Sequence, residues 1–164
     1  MIVELHSLFS GDIDQLPLDI TFDMSQVDIG GYLPLSQPAR FTGGVYNRSG
    51  VITLEGVVSC EYSAPCDRCS TDCSESVSAD VLYYLSENPA DEEKDDYAIA
   101  PGRKLEIDSL VCTDLLLALP TKHLCKEDCK GLCSNCGADL NNGKCACSDV
   151  EDNPFAQALK SFFD

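Results

Sequence analysis

Residues 120–147 read PTKHLCKEDCKGLCSNCGADLNNGKCAC and hold six of the eleven cysteines of this 164-residue chain. Cys133 and Cys136 stand in a Cys-x-x-Cys-Gly turn, in which two thiolates point at one ion while backbone N–H groups fold around the sulfurs. Cys145 and Cys147 follow after a turn over residues 140–143. Two close pairs joined by a hairpin predict a complete four-thiolate site, and zinc is its default ion because it binds thiolates tetrahedrally without redox chemistry.

A second Cys-x-x-Cys pair, Cys66 and Cys69, lies in a bend between two predicted strands. Once the first four cysteines are assigned, Cys125 and Cys129 remain as a pair with helical spacing, and such a pair on the first turns of a helix can supply two ligands on one face. These four cysteines predict a second zinc site that joins the sheet to the C-terminal module.

Two alternatives to the second site stay open. The bend can be a tight turn whose small residues bind nothing. The chain can also hold one zinc only, with its four ligands drawn from Cys125, Cys129, Cys133 and Cys136.

Three cysteines remain outside both predicted sites: Cys60, Cys73 and Cys112. We expect Cys112 to be a buried core thiol. The close spacing of the other eight is typical of metal ligands rather than of disulfides, because the cytosol keeps thiols reduced. His123 could substitute as a zinc ligand, but we expect it to be a surface residue near the metal.

The chain is strongly acidic, with 28 acidic and 11 basic residues and a formal net charge of −17. Residues 120–147 contain four lysines, but each zinc held by four thiolates would add a formal charge of about −2. Broad contact with a phosphate backbone is therefore not expected. A basic protein partner is the better electrostatic match.

The chain has no apolar run of about 18 residues and begins with no basic segment followed by an apolar one. These features predict a cytoplasmic protein that does not contact a membrane. The sequence also has no glycine-rich phosphate loop and no plausible catalytic triad, so we expect neither an enzyme nor a small-molecule substrate.

The fold is predicted to be α+β, with a β-rich domain over residues 1–119 and a cysteine-rich zinc-binding module over 120–164. Alternating or β-branched residues predict a curved antiparallel sheet or a barrel-like one. Its expected strands lie near residues 2–6 and 16–23, in a hairpin over 45–60 that turns at 47–50, and over 77–85.

Helices are predicted at two places. The first, about 108–119, should begin at Asp108 or Ser109 and be largely buried, with Asp114 facing solvent or hydrogen-bonded. The second is a short amphipathic helix over Asn153–Asp164 that docks on its own domain or on a partner. The charged residues 91–96 are predicted to be a solvated loop.

Several of these motifs together resemble the YceD family of large ribosomal RNA subunit accumulation proteins. They are Cys66-Asp67-Arg68-Cys69, Leu119-Pro120, the run from Leu124 to Asn141, and Asn153-Pro154-Phe155 to Leu159. The resemblance is specific over 120–164 and at the bend, and weaker over 1–60. The closing motif departs from the family pattern, which has an acidic residue before Pro154 and an arginine after it.

The resemblance implies a non-enzymatic role in the accumulation of the large-subunit (23S) rRNA and in large-subunit biogenesis, with structural zinc. It implies a ribosome assembly component or a basic ribosomal protein as the partner. Two alternatives come from the residues themselves. One is a thiol-redox or metal-handling protein that uses Cys60 or Cys73. The other is a zinc knuckle that binds rRNA directly through lysines, namely Lys122, Lys126, Lys130 and Lys144.

Overall fold

The computed structural model describes residues 1–91, 93 and 95–147. Contacts divide the chain into two units, Met1–Ala64 with Cys73–Lys122, and Pro65–Asp72 with the residues from His123 onward. The bend that carries the second Cys-x-x-Cys pair therefore belongs to the same unit as the C-terminal cysteines. The domain division at residue 120 stays a prediction.

The described residues form seven β-strands, and their bounds are β1 Ile2–Glu4, β2 Gln15–Phe22, β3 Ala39–Arg48, β4 Val51–Pro65, β5 Asp72–Ser86, β6 Tyr97–Ile99 and β7 Lys104–Glu106. Five of them form one sheet in the order β2-β3-β4-β5-β6, and β1 pairs with β7 in a second, two-stranded sheet. The expected strands near 16–23 and 77–85 are confirmed as β2 and β5.

The hairpin of β3 and β4 is the clearest agreement with the sequence. The strands pair antiparallel from Arg40 opposite Ser59 to Arg48 opposite Val51, so that the turn lies at the predicted place. The Gly50 N–H donates to Asn47 Oδ1 at 2.9 Å, which closes the turn with a side chain.

The barrel-like form of the predicted sheet is wrong. In the described part of the chain the five-stranded sheet is open, with β2 and β6 at its two edges. It is also not wholly antiparallel, because β6 runs parallel to β5 from Tyr84 opposite Tyr97 to Ser86 opposite Ile99. A parallel pair requires the chain to return before it re-enters the sheet, and a 3-10 turn at Pro89–Asp91 lies in the connection between β5 and β6.

Two α-helices are described, α1 His6–Ser10 and α2 Ile107–Leu117. The sequence did not predict α1, because its five residues are too few to show a helical period. Helix α2 buries one face through Ile107, Val111 and Leu115, whereas Leu117 is 80% exposed, so the helix is less buried than predicted.

The predicted N-cap of α2 is wrong. Strand β7 runs directly into the helix, Glu106 occupies the N-cap position, and no side chain caps it. Ser109 Oγ instead donates to the Glu106 carbonyl at 3.1 Å. Asp114 is hydrogen-bonded, since Tyr83 Oη donates to its Oδ1 at 2.6 Å.

The buried apolar core formed by the described residues lies in the first unit. Its largest members include Phe41, Leu54 and Leu115, and α2 and β7 contribute to it together with the large sheet. No helix among the described residues is long and apolar enough to cross a membrane. The predicted helix at Asn153–Asp164 lies outside the described residues.

Candidate metal centres

The bend between β4 and β5 is a tight loop that carries Cys66 and Cys69. The Cys66 N–H donates to the Thr71 carbonyl at 2.9 Å, and the Ser70 N–H donates to the Cys66 carbonyl at 2.8 Å. Both thiols are buried, with 2% and 6% of their surface exposed. The loop therefore turns two sulfurs to the inside of the second unit.

Cys125 and Cys129 lie on a turn rather than on the predicted helix. The Cys129 N–H donates to the Lys126 carbonyl at 3.1 Å, and residues 120–147 contain no helical segment. A turn of this kind brings residues four apart to one side as a helix does, so the spacing was compatible with either.

The structure brings four of these sulfurs together, and we call them the bend group: Cys66, Cys69, Cys125 and Cys129. All of their Sγ atoms lie within 4.8 Å of one another. The Cys66 and Cys129 sulfurs are 3.8 Å apart, and those of Cys69 and Cys125 are 3.5 Å apart.

A second set of four sulfurs, the hairpin group, satisfies the same limit of 4.8 Å: Cys133, Cys136, Cys145 and Cys147. The Cys133 N–H donates to the Ala138 carbonyl at 2.8 Å, and the Gly137 N–H donates to the Cys133 carbonyl at 2.9 Å. These bonds fold the Cys-x-x-Cys-Gly turn so that its two sulfurs face the later pair.

The geometry and chemistry of both groups fit a metal ion. Tetrahedral zinc with Zn–S bonds of about 2.3 Å places its sulfurs ~3.8 Å apart, which is close to the two separations given for the bend group. Four thiolates without an oxygen donor select zinc-like ions over magnesium or calcium. The two groups can each bind a metal ion, and neither contains a histidine.

Backbone hydrogen bonds stabilise one thiolate in each group. Backbone hydrogen bonds, above all the one from Cys125, lower the pKa of Cys66 to about 6. In the hairpin group, backbone hydrogen bonds, above all the one from Cys136, lower the pKa of Cys133 to about 6. Each group therefore has a thiol that ionises near neutral pH, and the thiolate is the form that binds metal.

Hydrogen bonds with neighbouring sulfurs raise the pKa of other thiols in the two groups. The side-chain hydrogen bond with Cys69 contributes most to raising the pKa of Cys125 to about 12. The side-chain hydrogen bond with Cys136 contributes most to raising the pKa of Cys147 to about 11. Thiols packed this closely cannot all ionise unless a cation offsets the repulsion between them, so a divalent ion would complete either group.

Three cysteines, Cys60, Cys73 and Cys112, lie outside both groups. Cys60 is 7% exposed, and burial raises its pKa. Cys112 is half-buried, packs against the core, and also has a pKa raised by burial. Cys73 Sγ lies 3.7 Å from the Ala64 carbonyl. Burial disfavours the thiolate form that redox exchange requires of Cys60.

The expectation for His123 is wrong, because it is not a surface residue. It is 3% exposed. Its backbone N–H donates to Asp67 Oδ2 at 2.8 Å, and its backbone carbonyl accepts from the Asp67 N–H at 2.9 Å. The histidine lies beside the bend and belongs to neither group of sulfurs.

Two residues for which the sequence predicted no role contact Cys129 of the bend group. Arg68 Nη1 donates to the Cys129 carbonyl at 2.8 Å, and Asn141 Nδ2 donates to Cys129 Sγ at 3.3 Å. No local signal marks either one, since arginine and asparagine are ordinary turn and loop residues. Their partner, Cys129, lies 61 residues from Arg68 and 12 residues from Asn141 along the chain, too far for a local pattern to reveal either contact.

Comparison with known proteins places the sequence among named relatives. Residues 54–163 match the family described as Large ribosomal RNA subunit accumulation protein YceD. The chain is 28% identical over 154 residues to the Large ribosomal RNA subunit accumulation protein YCED homolog 1, chloroplastic, of Arabidopsis thaliana, covering 76% of this chain and 48% of that protein.

The protein of the same description from Zea mays is 24% identical over 175 residues, covering 87% of this chain and 59% of the relative. The chain thus spans about half the length of the curated relatives it matches. No solved structure matches it.

Proposed function

Because the chain belongs to the YceD family, with about two thirds of its length inside the family match, we propose that it is a non-enzymatic factor required for accumulation of the large-subunit (23S) rRNA. The family match is the observation that carries the proposal. The names of the two relatives point to the same process in chloroplasts.

We propose that the bend group and the hairpin group each hold one structural zinc. Support comes from the sulfur separations and from the ligand with a lowered pKa in each group. With four thiolates, neither site would keep the open position that catalytic zinc needs. A reducing compartment such as the cytoplasm would keep these thiols available as ligands.

The proposed partner is a basic ribosomal protein or another assembly component. Four basic side chains of the first unit are already matched by carboxylates, in the pairs Arg40–Asp19, Arg48–Glu55, Arg103–Glu87 and Lys104–Glu4. The acidic residues outnumber the basic ones by 17 over the whole chain, so a large negative charge would remain even if every basic side chain paired with one carboxylate. Such a surface attracts a cationic partner and repels phosphate.

Depletion of the protein tests the proposal. We expect the ratio of large-subunit to small-subunit rRNA to fall, and to be restored by the wild-type chain but not by Cys133→Ser. Cys112→Ser is the matched control, because it removes a thiol outside both groups and should rescue. An unchanged rRNA ratio after depletion would contradict the proposed function.

A binding measurement separates the partner classes. If the partner is a basic protein, the chain should bind purified basic large-subunit proteins with an affinity that falls as salt rises. Tight binding to 23S rRNA alone, lost when the exposed lysines 122, 126, 130 and 144 are replaced by glutamine, would favour the zinc knuckle instead.

A further inference from the structure

The two groups of cysteines share one short connector. Cys129 belongs to the bend group and Cys133 to the hairpin group, and three residues separate them. The connector is held from both sides, because the Leu132 N–H donates to the Arg68 carbonyl at 3.1 Å and the Gly131 carbonyl accepts from the Leu140 N–H at 2.9 Å. A shift of either group must therefore move the connector as well.

Asn141 makes the most direct link between the groups. It lies in the loop between Cys136 and Cys145 of the hairpin group, yet its Nδ2 donates to Sγ of Cys129 in the bend group at 3.3 Å. Its Oδ1 accepts from the Lys130 N–H at 3.0 Å. A backbone N–H can only donate, so this bond fixes which end of the amide faces the sulfur.

The loop that carries Asn141 is itself braced. Asp139 Oδ1 accepts from the Asn141 N–H at 2.9 Å and from Nδ2 at 2.8 Å. Asp139 also pairs with Leu132 across a short antiparallel bridge. The amide can thus reach Cys129 only while the loop between Cys136 and Cys145 is closed, which is the loop that an ion in the hairpin group would close.

We propose that Asn141 is a positioning residue that couples the two groups, so that a metal ion in the hairpin group strengthens metal binding in the bend group. This inference rests on the metal binding put forward above. A hydrogen bond from a fixed amide stabilises a thiolate ligand and orients it. Because coupling between two binding sites is reciprocal, an ion in the bend group strengthens the hairpin group by the same factor.

The first test titrates the metal-free full chain with Co²⁺ and follows the thiolate-to-cobalt charge-transfer absorption. Asn141→Asp keeps the size of the side chain and loses the donor, so we expect affinity at the bend group to fall about tenfold and its absorption band to move to lower energy. Asn142→Asp is the matched control, because it adds the same charge at the neighbouring position. Asn142 donates to Asp139 Oδ2 at 3.0 Å and to no sulfur.

Equal affinities and equal bands in the two variants would overturn the role of Asn141 while leaving metal binding intact. If the wild-type chain gave no thiolate-to-cobalt band at all, metal binding and this inference would both fall.

The second test asks whether the effect depends on the hairpin group. Cys133→Ser with Cys136→Ser removes that group, and Co²⁺ affinity at the bend group should then fall by about the same tenfold. Adding Asn141→Asp to this chain should cause no further loss. A second tenfold loss would mean that Asn141 acts without the hairpin group, which would overturn the coupling.

Discussion

Gly131 shows how a single residue is constrained in the second unit. Its φ is +73°, and a Cβ built there would lie 3.0 Å from the Arg68 carbonyl oxygen. That oxygen accepts the Leu132 N–H, so it cannot move away without breaking the bond that holds the connector. Glycine is therefore required at this position both by the backbone conformation and by the close approach of the bend.

We predict that Gly131→Ala weakens the second unit by about 1–3 kcal/mol, because a non-glycine residue at this φ is strained and the new methyl group presses on Arg68. Thermal unfolding of the metal-loaded chain, with Co²⁺ affinity as a second readout, measures the change. Gly143→Ala is the control, since φ there is +139° but nothing lies within 4 Å. Equal losses in the two variants would show that the contact with Arg68 costs nothing.

Tyr83 makes the stability of the first unit depend on pH. Burial, followed by the hydrogen bond to Asp114, raises the pKa of Tyr83 from its usual 10.0 to about 12. The folded state thus keeps the neutral phenol while the unfolded state ionises at lower pH. Its contribution to stability is complete below pH 10.0 and is lost as the pH rises toward 12.

Tyr83→Phe should therefore make the free energy of unfolding less dependent on pH between 10 and 12. Below that range the variant should be less stable by about 1–3 kcal/mol, because Asp114 loses its donor. Denaturant unfolding at several pH values measures both effects, and the difference in tyrosinate absorbance between the two chains reports the ionisation directly. A difference spectrum that titrates at pH 10 would contradict the prediction.

At the scale of the elements, β3 and β4 approach unusually closely where Gly43 faces Gly56. A Cβ at Gly43 would lie 2.2 Å from the Glu55 carbonyl oxygen and 2.5 Å from the Gly56 Cα, both of them backbone atoms. The Phe41 ring lies over the same place, 2.6 Å from a Cβ built at Gly56. The ring fills the space that two side chains would otherwise take, and it is fully buried there.

Gly43→Ala should destabilise the first unit by about 1–3 kcal/mol, since the strands must separate to admit a methyl group. Denaturant unfolding followed by circular dichroism measures the loss. Thr42→Ala, at the exposed neighbouring position, is the control and should change stability by less than about 0.5 kcal/mol. Similar losses in both variants would mean that the glycine pair is not a packing requirement.

The elements also show where sequence patterns work. The hairpin of β3 and β4 was predictable because its turn residues and alternating strands are local signals. Strand β1 was expected from the alternation at residues 2–6, although it ends at Glu4. The parallel placement of β6 and the three-residue strand β7 were not predicted, because such short strands carry no period and depend on partners far along the chain. The start of α2 was misplaced because a strand leads directly into it, whereas capping rules assume a loop.

For the whole molecule, the division into two units separates two sources of stability. Among residues 1–91, 93 and 95–147, every member of the buried apolar core lies in the first unit, whereas the second unit contains both groups of cysteines. The described second unit has few buried apolar side chains, among them Cys66, Cys69 and Cys129 themselves. Metal binding would therefore supply much of the folding free energy of the second unit and little of that of the first.

Removal of metal by a strong chelator should expose the amides of residues 65–72 and 123–147 to rapid hydrogen exchange while strands β3 to β5 remain protected. The physical reason is that metal binding in small thiolate sites contributes on the order of 10 kcal/mol. Exchange measured by mass spectrometry, with and without chelator, tests this. A chain whose protection is the same in both conditions would contradict a structural role for metal.

Local features could be read from the sequence: the close cysteine pairs, the hairpin turn at 47–50 and the alternating strands that supply the core. Spacing encodes such features because residues within one turn meet wherever the chain folds. Counting ligands suggested that Cys66 and Cys69 join Cys125 and Cys129, but a single site remained possible. Only the tertiary structure brings these sulfurs together and places the Asn141 amide on Cys129, because contacts between distant segments depend on the packing of everything between them.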